Sequence, residues 1–370
     1  MGQPARAVVC RELNMPVQVE SISVEPPKRG EVMIRVAACG VCHSDLSATN
    51  GTIAMKLPLI LGHEAAGEVV HVGEGVAELA PGDHVVSSFV HMCGKCRFCA
   101  LGRPVLCLNQ SKALDTLPDG TLRTRDAGGG ALHIFSGCGV MAEYATLAVE
   151  NVVKIDPAIP LACAALVGCA VTTGVGAVFN TARVAPGSSV VVFGCGGVGL
   201  NVIQGASIAG AARIIAVDAL EAKLQMARQF GATDTLLAAA GEDPVKSIRR
   251  LAAGGADFAF ECVGGGEIAA LAYRSLGRAG TAVVVGLARP GDTTTLRTVS
   301  LPFEEKTLTG SFYGSCVPRS DFPRFLALYM SGRLKLAELI THRYGIEEAG
   351  QAFADLAAAK NARGVIEFRV

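Results

Sequence analysis

Ser189-Val190-Val191-Val192-Phe193-Gly194-Cys195-Gly196-Gly197-Val198-Gly199 is the stretch that decides the fold. The run 190–193 is continuously apolar, which suits a strand buried on both faces. Glycines follow at once, and a helix-like segment then continues to Ala209. Strand, glycine turn and helix in that order make the phosphate-binding corner of a dinucleotide fold. The glycines allow a tight turn and a close backbone approach to a pyrophosphate, which rests on the helix N-terminus. A second strand-like run, 213–217, leads into Asp218, nineteen residues after Gly199. A carboxylate there accepts from both ribose hydroxyls and repels a 2′-phosphate. Gly194, Gly196, Gly197, Val198, Gly199 and Asp218 are thus candidate cofactor residues, and NAD is expected rather than NADP. Lys223, one helical turn further on, could reach the same ribose.

Outward from this stretch, strand-like runs recur at 257–262 and 281–285 with helix-like segments between them. Such alternation predicts an α/β, doubly wound parallel sheet covered on both faces. Upstream the rhythm differs. Short β-like runs at 31–37, 67–72 and 84–87 are broken by Gly, Pro and Asn, which predicts an irregular strand-rich domain. A chain of 370 residues suits about two domains. Half the residues are hydrophobic and only 18% charged, which argues against disorder. Zero net charge and the absence of Trp argue against nucleic acid as a partner. The longest apolar stretch, 161–171, is too short to span a bilayer, so no membrane partner is expected. The N-terminus shows no charged region followed by an apolar core, and thirteen cysteines without such a signal point to the reducing cytoplasm.

Those cysteines fall into patterns. Cys93, Cys96 and Cys99 are spaced by three and Cys107 follows after eight, so four thiolates can converge on one tetrahedral zinc. Such a closed site holds structure. A Gly/Lys/Arg loop is poor core material, and a redox sensor needs an accessible, low-pKa thiol pair. Cys42, His63 and Cys169 are scattered, each in a Gly-containing context: Gly40-Val-Cys42-His43-Ser44-Asp45, Gly62-His63-Glu64 and Gly168-Cys169. They read as three zinc ligands with one position left open for chemistry. Asp45 can orient a ligating imidazole, Glu64 adjoins His63, and Ser44 would point at the open position.

Together these motifs resemble the zinc-dependent medium-chain alcohol dehydrogenases, in the animal and class III-like branch that carries a structural zinc lobe. The match takes in Gly-Val-Cys-His-Ser-Asp, Gly-His-Glu, the four-cysteine lobe, the Val167-Gly-Cys-Ala-Val-Thr-Thr-Gly-Val-Gly176 segment, the glycine fingerprint and Asn361-Ala-Arg363-Gly. The Cys2His set is already known of that class of enzymes. The resemblance implies a GroES-like catalytic domain over 1–170 and 313–370, with the zinc lobe at 93–107, and a Rossmann domain over 171–312. It implies two zinc ions per chain and NAD. Cys42, His63 and Cys169 would hold the catalytic zinc, with Glu64 behind it and Ser44 passing the alcohol proton outward. Thr173 and Val198 would pack on the nicotinamide, and His43 and Arg363 would bind pyrophosphate. Phe89, Phe135, Leu287 and Phe312 match positions lining the substrate channel. An alcohol acidified by zinc would give a hydride to the nicotinamide, and the reverse would reduce an aldehyde. The family's last Rossmann strands pair across a two-fold axis, so 307–312 suggests a homodimer, with a tetramer as alternative.

Two departures from the family pattern stand out. A histidine ends the proton relay in some members, but Ser47 occupies that position, and serine is no base near neutral pH. The proton would leave through the ribose hydroxyl or His43. The loop 50–56 carries no carboxylate, and Ser111 lies where class III enzymes place an arginine for glutathione adducts. An apolar channel favours medium-chain or aromatic primary alcohols. A thiol-adduct formaldehyde dehydrogenase is the rival enzyme, and a non-enzymatic NAD(H)-binding protein is the rival from another class. Metal analysis of the purified protein is expected to find two zinc ions per chain; one alone would contradict the open site.

Overall fold

The computed structural model describes residues 2–110, 114–238 and 243–369, which leaves Ser111 outside the described residues. The chain forms two compact units. One comprises Met1–Cys169, Val317–Met330 and Leu336–Val370; the other comprises Ala170–Cys316 and Ser331–Lys335.

The first unit holds a five-stranded and a seven-stranded sheet. The strand at the centre of the larger sheet is Glu31–Val41. It pairs antiparallel with Ala65–Val72, with Tyr144–Ala148 and with the C-terminal strand Arg363–Glu367. The sequence suggests a strand only over 31–37, because Ala38, Cys39 and Gly40 have weak intrinsic strand preference. Pairing from both sides carries it on through Val41, a tertiary effect that outweighs propensity. Register breaks opposite Met33/Ile34 and Val36/Ala38 bend this strand. Gly364 lies opposite Val41, so the last strand delivers Arg363 next to Cys42.

The second unit is a six-stranded, wholly parallel sheet. Its spatial order is Asp234–Leu237, Arg213–Asp218, Ser189–Phe193, Ala256–Glu261, Leu276–Val284, Thr307–Gly310. Chain order reverses between Ser189–Phe193 and Ala256–Glu261, which is the switch point where doubly wound sheets bind ligands. The strand expected at 281–285 starts earlier, at Leu276, and its ladder is irregular opposite Ala256 and Phe258. Ser331–Lys335 returns to this unit, where the Lys335 N–H donates to Gln204 Oε1 at 2.9 Å. Among the described residues no single helix is long and apolar enough to cross a membrane.

Candidate active site

Cys42 caps the short helix His43–Thr49, and the Asp45 carboxylate folds back to accept from the Cys42 N–H at 3.3 Å. The other Asp45 oxygen accepts from the Gly62 N–H at 2.8 Å, which ties the helix start to the turn that presents His63. Gly62 has φ +92°, and a Cβ there would strike the Met141 nitrogen at 2.3 Å, so this turn demands glycine. His63 Nδ1 faces Asp45 at 3.3 Å and Nε2 faces Cys169 Sγ at 3.3 Å. Phe89 and Phe135 each meet the imidazole in an edge-on arrangement, each with its ring centroid 5.3 Å away. The ring is therefore held by packing and by Asp45 before any metal arrives.

Cys42, His63, Glu64 and Cys169 are all buried, and their ligand atoms lie within 4.8 Å of one another. The carboxylate of Glu64 pairs with Arg363, itself buried. The hydrogen bond from Cys169 pulls the Cys42 thiol well below its usual range, against burial and with help from His63. The same bond, then burial, pushes Cys169 well above it. Burial disfavours charge on His63, yet Asp45 and then Cys42 hold its pKa well above the usual value. Burial raises Glu64 to about 7 against the pull of Arg363. A divalent ion binds the deprotonated forms of cysteine and histidine, so its binding at this cluster would release protons. Two soft thiolates and an imidazole at this spacing fit zinc.

The second cluster is Cys93, Cys96, Cys99 and Cys107, whose sulfurs also lie within 4.8 Å of one another. Cys96 caps the single helical turn Arg97–Ala100. Cys107 Sγ accepts from the Cys93 N–H at 3.5 Å and lies 4.0 Å from Cys96 Sγ. Hydrogen bonds from Asn109, then from the Lys95 and Cys96 backbone, lower Cys93 to about 6, whereas burial and Cys96 push Cys99 up to about 12. Four sulfurs and no gap in the set suit a closed, structural zinc. All thirteen cysteines are free thiols.

In the other unit, Gly194 has φ +89°, and a Cβ on Gly199 would meet the Gly194 oxygen at 1.8 Å. The helix Gly197–Ile208 starts within the fingerprint. Asp218 ends its strand, and its carboxylate accepts from the Cys195 N–H at 2.7 Å and the Leu220 N–H at 3.0 Å. Asp218 therefore braces the glycine loop, a role the sequence did not suggest, and keeps lone pairs for a ribose. Lys223 is half-buried one turn into the following helix. Gly174, next to Thr173, packs closely on the Val198 backbone, where a Cβ would lie 2.5 Å from the Val198 oxygen.

The remaining candidates separate. His43 is exposed at the head of its helix, and Ser44 Oγ lies 3.8 Å from Cys42 Sγ. Phe89 and Phe135 belong to the first unit, with Phe135 buried, whereas Leu287 and Phe312 belong to the second and are exposed. Gly40 was missed. A Cβ on it would fall 2.1 Å from Glu64 Oε1, so this glycine makes the space that the Glu64 side chain fills. The only signal in the sequence was a glycine two residues before a ligand cysteine.

The alcohol dehydrogenase GroES-like domain family matches residues 28–157, and the zinc-binding dehydrogenase family matches residues 197–331. The S-(hydroxymethyl)glutathione dehydrogenase of Synechocystis sp. is 39% identical over 369 residues, covering 98% of this chain and 100% of its own. The NDMA-dependent alcohol dehydrogenase of Amycolatopsis methanolica is 39% identical over 366 residues, covering 98% of each chain. Benzyl alcohol dehydrogenase of Acinetobacter calcoaceticus superposes with a TM-score of 0.92 at 32% identity, over 99% of this chain and 100% of that one.

Gly40→Ala forces Glu64 out of its slot. It is expected to lower kcat/KM for alcohol oxidation by about a hundredfold, as small displacements at a reacting centre do, while the zinc of the Cys93–Cys107 lobe is retained. Unchanged kcat/KM with both metals bound would show that the position of Glu64 is immaterial.

Proposed function

The chain belongs to the zinc-binding alcohol dehydrogenases with a GroES-like domain, and on that premise we propose that it interconverts medium-chain or aromatic primary alcohols with their aldehydes by hydride transfer to or from NAD. The observation that carries this reading is the buried cluster of Cys42, His63, Cys169 and Glu64, with two phenylalanines edge-on to the imidazole. When bound, zinc supplies the Lewis acidity that makes an alcohol acidic near neutral pH. The chain does the rest. Cys42, His63 and Cys169 hold the ion, and Asp45 fixes the imidazole. Ser44 takes the alcohol proton outward. Ser47 does not act as a base, so the proton passes to water through the ribose hydroxyl or through His43. Asp218 and Lys223 hold the ribose beside the glycine loop. Arg363 has a buried Nε without a partner, a donor that a phosphate oxygen would satisfy.

An apolar substrate suits Phe89 and Phe135, and the similarity to a benzyl alcohol dehydrogenase supports it. The name of the Synechocystis relative favours a second reading, a hydroxymethylglutathione substrate. Against it, the loop 50–56 has no carboxylate, and its one cation, Lys56, is paired with Asp115 at 3.1 Å. The edge strand Thr307–Gly310 and the neighbouring Phe303, 79% exposed, support a homodimer. Free thiols throughout support a reducing, cytoplasmic setting.

With NAD, kcat/KM for benzyl alcohol and hexanol is expected to exceed that for ethanol by about tenfold or more, with NADP a poor substitute and no added thiol required. A preference for ethanol would refute the apolar channel, and activity only with a glutathione adduct would establish the second reading. Light scattering is expected to give the mass of a dimer; a monomeric mass would refute pairing through the edge strand.

A further inference from the structure

Glu261 ends the strand Ala256–Glu261 at the switch point of the parallel sheet. It lies opposite Phe193, which leads into the glycine fingerprint, and opposite Val284, which leads into the loop from Val285 to Leu287. A carboxyl at this position is unexpected, because the side chain is wholly buried. One oxygen, Oε1, accepts from the N–H groups of Val263 and Gly264, both at 2.6 Å. The other, Oε2, has no hydrogen-bond partner. The main-chain oxygen of the same residue accepts from Val285 and Gly286, both at 2.9 Å. One residue therefore ties down the loops that leave two neighbouring strands.

Those loops interlock at van der Waals limits. A Cβ on Gly286 would meet the Gly264 nitrogen at 2.2 Å and Glu261 Oε2 at 2.8 Å. A Cβ on Gly264 would meet the Leu287 oxygen at 2.5 Å. Val263, anchored through Oε1, lies over the first fingerprint glycine, where a Cβ on Gly194 would be 2.7 Å from Val263 Cγ2. A path of direct contacts thus runs from the Glu261 carboxyl through Val263 to the turn that receives a pyrophosphate.

We infer that Glu261 is a positioning residue for the dinucleotide site, its carboxyl setting the Val263–Gly264 turn against Gly194. This rests on the dinucleotide-binding reading above. Burial pushes this carboxyl upward, opposed by the backbone N–H groups of Gly264, Val263 and Gly286. Glutamine keeps the Oε1 acceptor. Leucine keeps the bulk and loses the acceptor.

The test uses zinc-replete enzyme and NADH binding read by the coenzyme's own fluorescence, which the absence of Trp leaves uncluttered. Glu261→Gln is expected to bind NADH within about threefold of wild type, and Glu261→Leu about tenfold or more weaker, with KM for NAD raised far more than kcat is lowered. Val263→Ala, at a position 58% exposed and safe for folding, is expected to weaken NADH binding in the same direction. Wild-type affinity in both Glu261→Leu and Val263→Ala would overturn the inference. Equal losses in Glu261→Gln and Glu261→Leu would overturn the role given to the Oε1 acceptor. Failure of the wild type itself to bind NADH would overturn the dinucleotide reading, and the inference with it.

Discussion

The buried pairing of Arg363 with Glu64 joins residues 299 apart in the chain. It exists because the last strand of the protein lies against the strand that ends at Val41, just before Cys42, with Gly364 opposite Val41. It also exists because Gly40 leaves the slot in which the Glu64 side chain sits. Removing either charge would strand the other in the interior, at a cost of about 3–5 kcal/mol. The pair therefore fixes the C-terminal strand and the carboxylate beside two cysteines and a histidine. Asp45 does the complementary task from the other side, with one carboxylate tying together the backbone at Cys42, the backbone at Gly62 and the imidazole of His63.

Much of this was legible in the sequence where the physics is local. The strand Ser189–Phe193 reads directly, because a strand buried on both faces is a continuous apolar run and a glycine turn ends it. The four-cysteine lobe reads from spacing alone, because the loop is short enough for spacing to determine convergence. What was illegible depends on distant pairing. Nothing near Glu64 announces Arg363 as its partner. Nothing in 38–41 announces a strand, since its pairing comes from the far end of the chain. Asp218 was read as a ribose ligand, but its hydrogen bond to Cys195 appears only once two strands lie side by side. Glu261 closes the strand-like run 257–262, and the loops it ties down come together only once that strand lies between its neighbours.

The two metal clusters use nearly the same chemistry for different ends. Four cysteines with no gap in the set hold a loop. Two cysteines and a histidine, all buried, with a carboxylate paired to an arginine, would hold an ion with one position open to a substrate oxygen. The most direct test is crystallographic, with anomalous difference maps recorded above and below the zinc edge. Two peaks are predicted per chain, one enclosed by Cys93, Cys96, Cys99 and Cys107 and the other by Cys42, His63 and Cys169. A single peak, or a second one away from Cys42, His63 and Cys169, would contradict the division between a structural and a catalytic ion.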